Sequence, residues 1–228
     1  MKANRRTGIF ITGTDTGVGK TLVASALLRA FALSGLRAVG MKPVATGCRP
    51  DAPDRANEDV AALVAASNVN APIDLINPYC FEPAIAPHLA SEQAGTPISL
   101  ARIRDSYLAL ASLADRVVVE GAGGLLVPLG PDADWGDLVR ILDLPIVLVV
   151  GMRLGCLNHA LLTAAAIRSR GLPFAGWVAN RIDSAMPFFD ENVETLRRML
   201  PVRLIAVMPF APDDAQASTA MKPGLMIA

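Results

Sequence analysis

Gly8-Ile9-Phe10-Ile11-Thr12-Gly13-Thr14-Asp15-Thr16-Gly17-Val18-Gly19-Lys20-Thr21 is the stretch whose reading decides the fold. An apolar run rich in β-branched residues leads into a glycine-rich turn, and a helix-forming run begins at Leu22. This is the strand–loop–helix context of a P-loop. Successive backbone N–H groups in such a loop point inward at phosphate oxygens, and the following helix adds its positive N-terminal end. Lys20 is positioned to reach the β- and γ-phosphates, and the Thr21 hydroxyl to ligate Mg²⁺. One departure stands out: the strict spacing asks for glycine at position 14, whereas the chain has Thr14 preceded by Gly13. A glycine-rich turn that only caps a buried helix is the plainer alternative, and it leaves Gly19-Lys20-Thr21 unaccounted for. The stretch implies a nucleoside triphosphate as ligand.

Composition agrees with that frame. A chain of 228 residues suits one large α/β domain with a substantial core. Its 52% hydrophobic content is high. A parallel sheet covered by helices on both faces accounts for this, because its strands are apolar almost throughout. No apolar run approaches the roughly 20 residues needed to cross a bilayer. The basic start, Met1-Lys2-Ala3-Asn4-Arg5-Arg6, leads straight into a strand rather than a signal-peptide core. A formal net charge of zero gives no footprint for nucleic acid. Cys48, Cys80 and Cys156 are too far apart for a CxxC or zinc pattern and suit a reducing cytoplasm.

Outward from the P-loop, a first helix is predicted over 21–34, with Val23, Leu27 and Phe31 on one face and Gly35 as its stop. A strand over 37–41 follows and ends in Lys42-Pro43-Val44. Pro43 disfavours α conformation at Lys42, so this lysine sits extended at a strand's C-terminal end, the edge where open α/β sheets hold ligands. A solvated surface lysine is the competing reading. Residues 46–58 read as a long polar loop, and a helix follows from Asn57-Glu58-Asp59 to about residue 67. Asp59 reads either as a second metal ligand or as a capping acid. Residues 73–82 have strand character, Pro83, Pro87 and Pro97 break up a loop containing His88, and a helix spans 99–114.

Arg116-Val117-Val118-Val119-Glu120-Gly121-Ala122-Gly123-Gly124 is the second informative stretch. A buried strand ends in an acid, and the glycines let backbone approach a ligand closely. P-loop NTPases hold Mg²⁺ with an acid at a strand tip, usually Asp; an exposed turn acid is the alternative. Strands at 145–150 and 174–179 follow, the first leading to a helix entered near Gly155-Cys156-Leu157-Asn158. The second ends in Asn180-Arg181-Ile182-Asp183, an echo of the base-reading NKxD element of GTPases with Arg for Lys. A final helix over 188–200, a last strand over 203–208, Pro209-Phe210-Ala211 and a short tail complete the chain. The alternation predicts a single domain with a doubly wound, mainly parallel sheet and helices on both faces. Its loops at 13–21, 42–47, 120–124, 151–158 and 180–183 share one edge.

The set Thr12 to Thr21, Lys42-Pro43-Val44, Asn77-Pro78-Tyr79, Pro87-His88, Val119 to Gly124 and Leu154-Gly155-Cys156-Leu157-Asn158-His159-Ala160 closely resembles the dethiobiotin synthetase family, in order and over nearly the whole chain. Thr14 is itself the family's pattern. The resemblance implies an ATP-dependent ligase that closes the ureido ring of 7,8-diaminononanoate with CO₂, releasing ADP and phosphate. It also implies a homodimer whose substrate sites span the interface. Lys42 would be the active-site lysine, with Lys20 supporting the phosphates. Thr21, Asp59 and Glu120 would hold Mg²⁺. Gly17, Val18, Gly19, Lys20, Thr21 and Leu22, with Glu120, Gly121, Ala122 and Gly123, would line the nucleotide. Asn180, Arg181, Pro209, Phe210 and Ala211 would flank the base. Thr46 stands where the family often has a substrate-contacting Ser, and Gly155, Cys156 and Asn158 would hold the substrate carboxylate across the dimer. His88 and His159 match the family without a role. Two other classes compete. A ParA/MinD-like switch carries a signature lysine where this chain has Asp15, and there is no amphipathic C-terminal membrane helix. A metallochaperone GTPase would need His/Cys clusters that the chain lacks.

Overall fold

The computed structural model describes residues 8–49 and 57–221. The elements are β1 (Gly8–Gly13), α1 (Lys20–Leu33), β2 (Ala38–Met41), β3 (Val44–Thr46), α2 (Glu58–Ala66), α3 (Ile73–Ile76), β4 (Tyr79–Phe81), α4 (Pro87–Gln93) and α5 (Leu100–Leu113). Then come β5 (Arg116–Gly124), β6 (Pro128–Gly130), β7 (Ala133–Asp134), α6 (Trp135–Leu142), β8 (Ile146–Met152) and α7 (Cys156–Ser169). β9 (Phe174–Arg181), α8 (Phe189–Met199), β10 (Leu204–Met208) and α9 (Asp214–Ala220) complete the order.

Six strands form the main sheet in the order β10-β9-β8-β1-β5-β2. Every pairing in it is parallel. β1 is central, and its neighbours β5 and β8 lie on opposite sides of it, so the sheet's switch point falls beside the loop that follows β1. Alternation along the strands sorts side chains between the two faces. Ile9 and Ile11 join Val118, Val147 and Val149 under α1, α2 and α9. Phe10 joins Val117, Val119 and Ile146 under α5 and α6, and Leu148, Val150 and Trp177 pack beneath α7 and α8. With both faces covered, the strands can be apolar throughout, which explains the composition.

Register then sets the ligand edge. Ile11 lies opposite Glu120, and Gly13 opposite Gly124 and Val149. Met41 pairs with Val119, so Lys42 emerges beside Glu120. Gly151 pairs with Asn180, and Asn180 with Met208, just before Pro209.

Several expectations need correction. Residues 73–82 are not one strand: α3 takes the first four, and only Tyr79–Phe81 is extended. The segment around His88 is helical, because Pro87 sits at the first turn of α4, where a missing N–H costs nothing. The helix over 188–200 is not the last. Asp213 and Gln216 form a capping box that starts α9 in what looked like a tail. Cys48 and Cys80 are joined in a disulfide, not left as separate thiols, so the cysteines do not support the expectation of a reducing compartment. The chain folds β3 onto β4 with Ala45 opposite Cys80, and Cys48 N–H then donates to Phe81 O at 2.9 Å. A separation of 32 positions hid this from spacing arguments. The predicted loop over 46–58 lies in part, at 50–56, outside the described residues, as does the basic start.

Candidate active site

The loop after β1 is held open for a ligand by backbone geometry. Gly17 and Gly19 adopt φ of 72° and 86°, left-handed conformations that side-chain-bearing residues disfavour. A Cβ on Gly19 would also run into the Asn180 side chain. Thr14 N–H donates to Val149 O at 3.0 Å, anchoring the loop to β8. Lys20, the first residue of α1, is buried, and its ammonium donates to the Asp15 carbonyl at 3.0 Å. Burial, and then the neighbouring Lys42, hold the Lys20 ammonium below its ordinary value, an imbalance that a bound polyphosphate would relieve.

Four side chains knot together beneath that loop. Lys42 Nζ donates to Asp59 Oδ2 and to Glu120 Oε1, both at 2.6 Å. Thr21 Oγ1 lies 2.7 Å from Asp59 Oδ1 and 2.9 Å from Glu120 Oε1. Glu120 is 0% exposed and Lys42 3%. Burial on its own would push the Lys42 ammonium down, but Glu120 and Asp59 more than reverse this and hold it above its ordinary value. Burial pushes the Glu120 carboxyl up, with Lys42 pulling against it. Burial would also raise Asp59, yet the Lys42 cation and the hydrogen bonds from Lys42 and Thr21 hold it below the usual carboxylate value. The helix start that delivers Asp59 is fixed by Asn57, whose side chain caps α2 and also donates to Thr46 O at 3.0 Å.

The knot forms one wall of a cleft of about 720 Å³. Gly17, Gly19, Lys20, Thr21, Lys42 and Thr46 line it, as do Asp59, Glu120, Ala122 and Gly123. Val18 and Gly121 are buried behind it, and Leu22 packs toward the core of α1. Asn180 is buried and donates from Nδ2 to Val18 O at 2.8 Å, tying β9 to the P-loop. Arg181 instead stacks over the Phe189 ring at 4.6 Å. Pro209, Phe210 and Ala211 are exposed at the same edge. Gly155 and Asn158 are exposed at the start of α7, Cys156 is buried, and none of the three lines the cleft. His88 faces a separate pocket bounded by Glu92 and Leu129, while His159 is exposed on α7.

Among the described residues no three His, Cys, Asp or Glu side chains gather as a metal cage. Two carboxylates and a hydroxyl do converge, however, and Glu120 Oε2 is buried with no hydrogen-bond partner. An all-oxygen set of so few ligands fits Mg²⁺, which keeps several waters and shares its remaining sites with substrate phosphates.

The sequence reading missed Thr16, the Ala84–Pro87 wall and Val127, all of which line the cleft. Pro83 and Pro87 were visible as a rigid segment, but their approach to the P-loop depends on the β3–β4 pairing. Residues 125–144 carry a local signal of their own. Asp134 and Asp137 form a capping box ahead of buried Leu138, Val139 and Leu142.

A parallel sheet, a glycine-rich loop closing on a lysine and threonine, and an acid on the neighbouring strand together define a P-loop NTPase. A family profile described as "AAA domain" matches residues 7–218. The fold resembles that of the septum site-determining protein MinD of Pyrococcus horikoshii, solved with Mg-ADP: TM-score 0.57, 15% identity, covering 95% of this chain and 87% of that one. A ParA family ATPase of Chlorobium tepidum gives TM-score 0.52 at 16% identity, covering 98% and 93%. At such identities the likeness speaks for the fold alone. Sequence goes further. The chain is 51% identical over 215 residues to an ATP-dependent dethiobiotin synthetase of Aromatoleum aromaticum, covering 93% of this chain and 96% of that relative. It is 54% identical over 203 residues to the synthetase of the same description from Nitrosospira multiformis, covering 89% and 88%. The chain belongs to the ATP-dependent dethiobiotin synthetases, ligases that close a ring at the expense of ATP in biotin biosynthesis.

Proposed function

We propose that the knot of Lys42, Asp59, Glu120 and Thr21 is the site of phosphoryl transfer to a carbamate. One amine of 7,8-diaminononanoate adds to CO₂ and loses a proton, giving the carbamate. A carbamate oxygen then attacks the γ-phosphorus of ATP and ADP departs. The second amine attacks the activated carbonyl carbon, expels phosphate and closes the ureido ring. Two anions must approach each other for the transfer, and a cation between them stabilises the transition state most. Lys42 is that cation, and Thr46 contacts the substrate beside it. Lys20 and the P-loop amides hold the phosphates. Thr21, Asp59 and Glu120 would hold Mg²⁺, which when bound would supply charge neutralisation at the phosphates.

Asn180 flanks the base together with residues 209–211. One Nδ2 hydrogen is held by the Val18 carbonyl, which leaves Oδ1 and the second Nδ2 hydrogen for a base. An amide that turns Oδ1 and one N–H to the base matches the N6 donor and N7 acceptor of adenine, whereas guanine presents two acceptors at that edge. The whole chain acts as one domain and pairs as a cytoplasmic homodimer. In the dimer, Gly155, Cys156 and Asn158 of one protomer hold the carboxylate of substrate bound by its partner.

The observation that carries this reading is the position of Lys42, charged, buried and touching both carboxylates at the floor of the cleft. The experiment compares nucleotide affinity by calorimetry with single-turnover dethiobiotin formation in Lys42→Ala. Affinity should stay largely intact while product formation drops by orders of magnitude. Product at close to the normal rate would remove Lys42 from the chemistry. Parallel loss of binding and hydrolysis would make it a nucleotide ligand only.

A further inference from the structure

Asp15 is an acid carried within the phosphate-binding loop, where a negative charge opposes the ligand. Its side chain has two partners. Oδ1 accepts the Thr16 N–H at 2.7 Å, and Oδ2 accepts from Arg153 Nη2 at 2.5 Å. Its backbone carbonyl receives the Lys20 ammonium. Arg153 comes from the loop between β8 and α7, 138 positions away. Both side chains are about half exposed, 46% for Arg153 and 47% for Asp15. An ion pair that exposed adds little to folding stability. Its place beside the phosphate cradle, however, puts both charges within range of a polyanion.

We infer that Arg153 is a positioning and charge-compensating residue: it neutralises Asp15 so that the P-loop can accept a triphosphate, and it thereby sets nucleotide affinity. This rests on the P-loop holding the nucleotide's phosphates. Without Arg153 the carboxylate stands uncompensated and repels every phosphate charge. Without Asp15 the guanidinium stands uncompensated and attracts them. Removing both returns the loop to neutrality.

The test is a double-mutant cycle read by calorimetry with Mg-ATP and Mg-ADP. Arg153→Met should weaken ATP binding by about tenfold at low ionic strength, with a smaller loss for ADP because it carries less charge. Asp15→Asn, which keeps an acceptor for the Thr16 N–H, should bind ATP more tightly than wild type. The double variant should return to within about threefold of wild type, and all differences should shrink toward unity in ~1 M salt. Melting temperatures should move by no more than about 3 °C, which excludes a merely structural effect. A double variant as weak as Arg153→Met would overturn the inference, because Arg153 would then be touching phosphate directly. Equal affinity in all four proteins would overturn it as well. Lys20→Ala serves as the separate check on the P-loop reading: wild-type affinity in that variant would undo the placement of the phosphates, whatever Arg153 does.

Discussion

Two loops on the same sheet edge are built in opposite ways. The segment after β2 and the middle of β5 bring Lys42 and Glu120 together in full burial, with each charge already answered by another group of the same chain. The loop from β8 to α7 presents Leu154 at 98% exposure, followed by exposed Gly155 and Asn158, and the cleft does not reach it. The first region is complete within one chain, as preorganised electrostatics require: fixed charges cost no reorganisation when the reaction occurs. The second leaves an apolar side chain and a helix start open to water, as the proposed dimer would require. Changes in the first should therefore act on rate, and changes from Leu154 onward on assembly and substrate capture; Arg153, which reaches back to Asp15, stands apart.

The sharpest test of this division is Lys20→Ala. Losing a preorganised charge at the transferred phosphoryl should cost roughly 3–4 kcal/mol, about 10²–10³ in turnover. Near-normal kcat in a folded variant would show that the P-loop lysine is dispensable and that the buried region is not the reacting one.

Next in size is Glu120→Gln, which keeps the shape of the side chain and removes one charge. A hard cation prefers charged oxygen ligands. The Mg²⁺ concentration for half-maximal activity should rise by about tenfold or more, as even indirect partners of a metal are worth that much. Saturating Mg²⁺ should recover most of kcat, since Lys42 keeps its contact with Asp59. An unchanged Mg²⁺ titration would return Glu120 to the role of a buried structural acid.

How much of this was legible follows the same division. Local patterns announce themselves: the P-loop, the apolar strand that carries Glu120 and the place of Lys42 just after β2 were readable, because each is set by a few adjacent residues, although β5 runs on to Gly124 rather than ending at the acid. Long-range pairings are silent. The β3–β4 pairing that joins Cys48 to Cys80 and swings residues 84–87 into the cleft has no local signature. The contact between Arg153 and Asp15 exists only because β8 lies beside β1. α6 and α9 are a different matter, since their capping boxes could have been read. Their short length gave hydrophobic periodicity too few turns to register.

Leu154→Glu probes the open region. If Leu154 is buried by a second copy of the chain, a charge there forfeits about 1.5–3 kcal/mol of apolar burial. Sedimentation should show the dimer weakening by about tenfold or more. The KM for diaminononanoate should rise several-fold, while the ATP affinity of each protomer stays as it was. A variant that stays dimeric at nanomolar concentration with an unchanged diamine KM would mean that this loop is ordinary surface.

The smallest expected effect is at the base-reading corner, where a local pattern read from sequence misleads. Asn180-Arg181-Ile182-Asp183 resembles an element in which the acid selects guanine. Here Asp183 Oδ1 accepts the Ala185 N–H at 2.9 Å and closes a turn on its own backbone. Arg181, in the lysine's place, stacks on Phe189 and turns one donor to the Ser184 carbonyl at 3.4 Å. Only Asn180 keeps a link to the P-loop, and it has Oδ1 and one Nδ2 hydrogen left for a base. Asp183→Ala should therefore lose a turn contact worth about 1 kcal/mol of stability at most. The ratio of kcat/KM for ATP over GTP should stay within about twofold of wild type, because no atom that discriminates the bases has been removed. Asn180→Asp tests the other half of the argument. It leaves an acceptor for the adenine amine but puts a carboxylate against the Val18 carbonyl, so it should weaken every nucleotide while preserving the preference for ATP. If Asp183→Ala instead erases the preference, or wild type favours GTP, then the acid is reading the base and the turn contact is incidental.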